Sequence, residues 1–181
     1  MRRRVVVGVA LLAVLVVAVA AVSAGKRSRH AGVAAPVAAP GHGAVGATIG
    51  AVVARDVDGR RVAIASGKPG VLLFIAGWCG DCLPSSVAVG KIAQQYGARI
   101  SAVAVSPDPS DSVSALRRFR HNAGDPPYPF VWDANGSLAR PLRVTALDTT
   151  LIYDAYGRVV YRGVAPDVPT MRAALRRAGI T

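Results

Sequence analysis

The pattern of apolar positions changes twice along the chain and divides it into three parts. Residues 5–22 carry no charge; three arginines precede this run, and the basic stretch KRSR at residues 26–29 follows it. A helix of about 20 apolar residues spans the hydrocarbon core of a bilayer. Residues 1–24 are therefore predicted to be a membrane anchor, or a signal segment cleaved after small residues. We favour the anchor, because an apolar signal core is usually only about 7–15 residues long.

Residues 25–45 lack a hydrophobic period and are rich in alanine, proline and glycine, which is typical of a flexible linker. Residues 46–181 have the length of one domain with a full hydrophobic core. The short N-terminal tail favours a cytosolic N-terminus. The domain is thus predicted to be extracytoplasmic on a single-pass anchor in the cell membrane, or secreted if the segment is cleaved.

The domain shows alternating strand and helix patterns. Residues 52–65 predict a β hairpin that turns at Asp58 and Gly59, and the apolar run at residues 70–78 predicts a buried central strand. A helix is predicted from Cys82, kinked by Pro84. The other predicted elements are strands at 99–105 and 130–132, helices at 111–122 and 168–178, a helical turn at 136–142 and a hairpin at 149–163. This order predicts an α/β fold whose mixed sheet has helices on both faces.

Charge narrows the set of partners. The chain has 22 Lys and Arg against 10 acidic residues, a net charge of +12, and six of the basic residues precede residue 46. The basic residues of the domain are scattered, so no nucleic-acid site is predicted. An anionic membrane surface or an acidic partner suits this charge.

The stretch GWCGDCLPSS at residues 77–86 contains both cysteines of the chain, with Asp81 between them. Cys79 is predicted at a helix N-terminus, where the dipole and free N–H groups favour the thiolate. Cys82 follows one turn later, close enough to form a disulfide with it. The pattern favours a redox pair without metal or other cofactor. A structural disulfide would close too short a loop to stabilise much, and zinc usually needs a second ligand pair, whereas His121 is the one histidine of the domain.

The predicted strand, the W-C-x-x-C motif, Pro84 and the later hairpin resemble the thioredoxin superfamily. The apolar N-terminus and the segment DVDGRRV at residues 56–62 resemble its membrane-tethered, AhpC/TSA-related TlpA/ResA-type thiol:disulfide oxidoreductases. The resemblance implies a thioredoxin-like fold for residues 46–181, with Cys79 attacking substrate disulfides and Cys82 releasing the mixed disulfide. It implies that Trp78, Pro84 and Leu147 border the site. Exported proteins such as apocytochrome c are the implied substrates, and a membrane thiol reductase the implied electron donor.

The chain departs from this family at three points. Leu73 stands where many thioredoxins have a buried acid, and the chain contains no glutamate. Asp148 replaces the usual cis-proline before the final hairpin. Because a cis bond before a residue other than proline costs about 3 kcal/mol, the Leu147–Asp148 bond is expected to be trans.

Asp81 and Asp148 are both expected near the sulfurs. A nearby anion disfavours the thiolate, so the pair is predicted to be a weak oxidant, closer to a reductase, and either aspartate is a candidate proton shuttle for Cys82. In the alternative interpretation, Asp81 is a solvated residue of the first helical turn and Asp148 a turn former.

Residues 106–119 also resemble a segment of the Sco-type copper chaperones. Those proteins use C-x-x-x-C and a histidine near the place of Asp148; two thiolates suit Cu(I), but a carboxylate does not. A copper(I) chaperone and a tethered binding module without turnover are therefore the rival hypotheses.

Overall fold

A computed structural model of the chain describes residues 43–181. The predicted anchor and nearly all of the predicted linker lie outside these residues. Within residues 43–181, no helix combines the length and the apolar character that crossing a membrane requires.

Seven strands are found in the described residues, two in a hairpin and five in a mixed sheet. They are β1 (Val52–Arg55), β2 (Arg61–Ile64), β3 (Gly70–Phe74), β4 (Ser101–Ser106), β5 (Phe130–Trp132), β6 (Thr149–Tyr153) and β7 (Val159–Val164). The order in the sheet is β5-β4-β3-β6-β7. The central strand β3 pairs in parallel with β4 and antiparallel with β6. All five of its residues are buried, which explains its continuous apolar sequence.

Three helices cover one face of this sheet: α1 (Leu83–Tyr96), α2 (Val113–Asn122) and α3 (Val168–Arg177). Their buried residues, including Ile92, Leu116 and Leu175, share a core cluster with Val71 and Leu73 of β3. Both parallel connections, β3–α1–β4 and β4–α2–β5, move toward the same sheet edge. Since such crossovers are right-handed, they place α1 and α2 on the same face.

Within residues 43–181, the second face of the sheet carries no α-helix. Side chains of the β1–β2 hairpin and of residues 133–147, among them Ile64 and Leu138, pack on Leu72 and Phe74. The prediction of helices on both faces is therefore wrong. The segment predicted as a helical turn forms a run of turns that includes one helical hydrogen bond, from the Arg140 N–H to the Gly136 carbonyl. The buried Asp133 carboxylate caps its start by accepting the backbone N–H groups of residues 138 and 139, and the segment does not extend into an α-helix.

The start of α1 also differs from the prediction. The chain leaves the sheet after Phe74, forms a 3-10 turn at Gly80–Cys82 and only then enters α1. Pro84 lies in the first turn of α1. A proline there lacks only an N–H group that the helix would leave unpaired. The change of helix type thus precedes Pro84, which begins a helix and does not kink one.

Candidate redox-active site

The cysteines form a disulfide at the C-terminal end of the central strand. Their Cα atoms lie 5.4 Å apart. Cys82 is fully buried in the core, whereas Cys79 is partly exposed. Cys79 precedes the 3-10 turn and Cys82 is the N-cap of α1. The prediction that Cys79 stands at the N-terminus of the long helix is therefore corrected by one turn, because the intervening residues form a 3-10 turn.

Asp148 lies at the start of β6 and is held by its backbone on both sides. Its N–H donates to the Phe74 carbonyl at 2.6 Å, and its carbonyl accepts from the Ala165 N–H at 3.1 Å. The Leu147–Asp148 bond is trans, as expected, and Asp148 has a φ of 62°. Aspartate adopts this left-handed conformation more readily than most residues.

The Asp148 side chain is only 9% exposed, and its hydrogen bonding is incomplete. The Ser85 hydroxyl donates to Oδ2 at 3.0 Å, while Oδ1 has no partner. Burial raises the pKa of the Asp148 carboxyl, the Ser85 hydrogen bond opposes this change, and repulsion from Asp81 adds to it. Asp81 itself is exposed in the 3-10 turn. The two carboxyls are therefore close enough to interact, while their roles in the chemistry stay predictions.

Trp78 presents an exposed indole beside Cys79. The residue is 68% exposed, yet its Nε1–H donates to the Asp108 carboxylate at 2.6 Å. This hydrogen bond is the main reason why the pKa of Asp108 is lowered, followed by the bonds from Ser110. The Trp132 indole donates to the Asp108 carbonyl at 2.9 Å. The loop after β4 thus holds the Trp78 ring in place on the surface.

Asp111 fixes the backbone just before the cysteines. Its carboxylate accepts the Gly77 N–H at 2.8 Å and the Ser106 hydroxyl. A Cβ on Gly77 would lie 2.7 Å from Asp111 Oδ1, so the close approach requires glycine. Asp111 directly precedes Ser112, the N-cap of α2.

Ser85, Asp108 and Asp111 contact the site but were not predicted from the sequence pattern. The repeated aspartates of the SPDPSD segment, just before a helix, were the available signal for two of them. Nothing in the local sequence links Ser85 to Asp148, which follows it by 63 residues.

The remaining predicted border residues lie at the edge of the site. Pro84 is exposed at the start of α1, and Leu147 is half-buried against the core cluster that contains Cys82. Leu147 also lines a mainly apolar groove of about 510 Å³, together with Pro107 and Pro109, which flank Asp108. The groove therefore adjoins both the loop that holds the Trp78 ring and the residue before Asp148.

The side chains of the described residues that could ligate a metal are not clustered. Within residues 43–181, no three His, Cys, Asp or Glu side chains are grouped in a way that would hold a metal ion. The exposed ring of His121 contacts Asp125, with Nδ1 and the carboxylate 3.0 Å apart. His121 also lines a shallow pocket with Gly77, two residues before Cys79, but it belongs to no group of three such side chains in residues 43–181.

The chain is similar in sequence to a known family and to a curated relative. A family model described as Redoxin matches residues 44–178. The mercury resistance operon ORF3 of Streptomyces lividans is 29% identical over 126 residues, which cover 68% of this chain and 67% of that relative.

Two solved structures share the fold. MTB dsbF, in its mixed oxidized and reduced forms, is 25% identical with a TM-score of 0.62, covering 70% of this chain and 94% of that one. A secreted disulfide oxidoreductase of Mycobacterium tuberculosis is 18% identical with a TM-score of 0.61, covering 70% and 95%. Because the family match includes nearly all the described residues and both disulfide-bonded cysteines, the chain belongs to the redoxin family of thioredoxin-like thiol:disulfide oxidoreductases.

Proposed function

We propose that this protein reduces disulfides of exported proteins from a position tethered to the outer face of the cell membrane. The observation that carries the proposal is the unequal exposure of the two bonded sulfurs: Cys82 is fully buried and Cys79 is partly exposed. A partner protein therefore meets the residue Cys79 first, and Cys82 is placed to react only with Cys79.

The difference in exposure assigns each cysteine a separate step of the disulfide exchange. In the dithiol form, the Cys79 thiolate attacks a partner disulfide; a new S–S bond forms, and one partner sulfur leaves as a thiolate. Cys82 then attacks Cys79 Sγ, closes the disulfide and releases the second partner sulfur. Two electrons pass to the partner, so an external dithiol must reduce the protein again. A membrane thiol reductase would supply the two electrons of this re-reduction.

The surface beside Cys79 suits an unfolded or extended partner. The Trp78 ring is exposed but immobilised by Asp108, and the groove lined by Leu147 and Pro107 is mainly apolar. A rigid aromatic surface binds at low entropic cost. Exported proteins that keep a disulfide accessible before they fold, apocytochrome c among them, fit this surface.

The carboxyls favour reduction over oxidation as the net direction. A strongly oxidising couple has a reduced form stabilised by an acidic thiolate. Asp81 lies between the cysteines, and Asp148 contacts α1 within one turn of Cys82. Anions so placed disfavour the thiolate, and the reduced form lacks that stabilisation.

Insulin reduction by the full chain in mild detergent tests the reaction. With dithiothreitol as donor, the protein is expected to accelerate insulin precipitation, and the Cys79→Ser/Cys82→Ser double variant is expected to match dithiothreitol alone. No acceleration by the wild type would contradict the proposal. If the reduced wild type then bound Cu(I) stoichiometrically in a parallel titration, the copper-chaperone hypothesis would replace it; neither activity would favour a binding module.

Labelling in intact cells tests the location separately. A membrane-impermeant maleimide is expected to label the Cys82→Ser variant, which retains the more exposed cysteine, before the cells are lysed. Labelling only after lysis would contradict the extracytoplasmic placement and leave the chemistry unaffected.

A further inference from the structure

Cys82 has no evident route for its proton to solvent. The residue is fully buried and belongs to the apolar core cluster that includes Leu73. Leu73 occupies the position of the buried acid of many thioredoxins, and its cross-strand partner on β6 is Thr150. Neither side chain can act as a base for Cys82. A thiol must lose its proton before it attacks a disulfide, so the resolving step needs a base that reaches Cys82 from within the protein.

Helical spacing predicts that Ser85 lies on the same side of α1 as Cys82, its N-cap residue. Cys82 has helical backbone angles, φ −81° and ψ −10°, so helical spacing continues from it into α1. Residues three apart on a helix have Cβ atoms about 5–6 Å apart on one face. Ser85 is itself only 6% exposed. Its hydroxyl can accept one hydrogen bond while it donates another, as a relay group must.

Asp148 is the hydrogen-bond acceptor of Ser85. The Ser85 hydroxyl donates to Asp148 Oδ2 at 3.0 Å, and Oδ1 is buried without a partner. A buried carboxylate with one hydrogen bond is under-stabilised as an anion, and protonation removes that cost. Asp148 is therefore a group that gains from taking up a proton.

The surroundings of Asp148 contain few competing charges. The 3-10 turn presents the exposed Asp81, and α1 presents the neutral Ser85. Strands β3 and β7 contact Asp148 through backbone groups of Phe74 and Ala165. Among the described residues, Asp148 takes part in no ion pair, so no contacting cation stabilises its anion against protonation.

We propose that Ser85 and Asp148 form a proton relay for Cys82. The inference rests on the proposed function and assigns a proton path to its second step. As the Cys82 thiol gives its proton to Ser85 Oγ, the Ser85 proton passes to Asp148 Oδ2. The Cys82 thiolate then attacks Cys79 Sγ; the Sγ–Sγ bond forms, and the bond from Cys79 to the partner sulfur breaks. The electron pair leaves with that sulfur, which takes a proton from solvent.

The same path serves the reverse step. When an external thiolate attacks Cys79 and opens the disulfide, the Cys82 sulfur leaves as a thiolate. Asp148 then returns its proton through Ser85 to Cys82. Asp148 acts through Ser85 and so positions and stores the proton without touching the reacting sulfurs.

A single-turnover reaction with the aromatic disulfide DTNB resolves the two steps. The reduced full chain attacks DTNB with Cys79 and releases one thionitrobenzoate; Cys82 then resolves the mixed disulfide and releases the second. Absorbance in a stopped-flow instrument gives both rates. Asp148→Asn keeps an acceptor for the Ser85 hydroxyl but cannot take up the proton.

The relay predicts a selective effect on the second release. In Asp148→Asn it is expected to slow by about 100-fold and to lose its dependence on the protonation of a carboxyl, while the first release stays within about threefold. Ser85→Ala is expected to slow the second release by about tenfold. Ser86→Ala is the matched control, because Ser86 is equally buried in the same turn, and its hydroxyl has no partner.

Each outcome separates the relay from the proposed function. A wild-type second release that Asp148→Asn leaves unchanged in rate and pH profile would overturn the relay alone. Equal slowing of both releases, or an effect of Ser86→Ala as large as that of Ser85→Ala, would also overturn it, because a structural role explains such results. Absence of both releases in the wild type would instead contradict the oxidoreductase function.

Discussion

The two sides of the disulfide use carboxyl groups in opposite ways. On the side of β4, the Asp111 carboxylate accepts hydrogen bonds from the Gly77 N–H and the Ser106 hydroxyl. On the side of β6, Asp148 accepts one from Ser85 and keeps an unpartnered oxygen, although both aspartates are buried. A carboxylate that accepts several hydrogen bonds holds its donors in place, whereas a buried one with an unpartnered oxygen is less stabilised as an anion. One side of the site thus has a well-bonded carboxylate that holds the backbone, and the other has an under-bonded carboxyl, to which we assign the proposed proton relay.

The largest effect on stability is expected from Asp111→Ala. The substitution leaves the Gly77 N–H and the Ser106 hydroxyl without their acceptor, which should lower the free energy of unfolding by about 3 kcal/mol. Denaturant unfolding of the oxidised protein measures it. Asp148→Ala, which removes one hydrogen bond, should cost less than half as much. Equal losses would remove the distinction between the two sides.

Gly77→Ala tests the same side by steric means. The added Cβ would lie 2.7 Å from Asp111 Oδ1 and 3.0 Å from the Ala115 Cβ. Crowding of this kind should cost about 2 kcal/mol of unfolding free energy. Gly80→Ala is the control in the same loop, since nothing lies within 4 Å of its Cβ position. Similar behaviour of the two variants would show that Asp111 does not hold the loop closely.

The pH dependence of Asp148→Asn tests the other side. Burial, with repulsion from Asp81, raises the pKa of Asp148 in the folded protein. The folded state therefore favours the protonated form, and the stability from this group is complete below the unfolded pKa and is lost as pH rises through the raised folded value. Asparagine stays neutral throughout.

The free energy of unfolding of Asp148→Asn should therefore exceed that of the wild type only at higher pH. We expect Asp148→Asn to be more stable than the wild type at about pH 7 and equally stable at about pH 3, in urea unfolding of the oxidised proteins. Asp81→Asn should show a smaller gain of the same sign. A variant that is less stable at neutral pH than at acid pH, relative to the wild type, would mean that the Asp148 anion is well stabilised.

The smallest effect is expected from Trp78→Phe. The change removes the Nε1–H donor to Asp108 on an exposed surface, and it should cost about 0.5 kcal/mol. The pKa of Asp108 should rise toward its ordinary value, because the Trp78 hydrogen bond is the main cause of its lowering. NMR titration of the side chain measures this. Trp132→Phe is the control, since its indole bonds the Asp108 backbone carbonyl; a pKa change in both variants would contradict the assignment.

Local sequence patterns were sufficient to predict the main elements around the cysteines. The apolar run of β3 and the two cysteines after it were enough to predict a strand, a disulfide-forming pair and a helix, because each signal lies within one short segment. The positions of the helices were not predictable in this way. Crossover handedness places α1 and α2 on one face, and the segment at residues 133–147 forms a run of turns with one helical hydrogen bond and no α-helix.

The contacts around the disulfide show the same limit. Gly77 and Asp111 are 34 residues apart, and Ser85 and Asp148 are 63 residues apart. Asp148 was found as a candidate because it replaces a family proline, whereas its serine partner was not. Tertiary hydrogen bonds between distant residues leave no periodic trace in a sequence, so only the fold reveals them.

The reduction potential of the Cys79–Cys82 couple decides between a reductase and a strong oxidant. Equilibration of the full chain with glutathione or dithiothreitol buffers, followed by quantification of free thiols, gives the value. The account predicts a reversible two-electron transition below about −180 mV, in the range of reductases and isomerases. A couple near about −120 mV, as in a strong oxidant, or sulfurs that do not cycle between dithiol and disulfide, would contradict it.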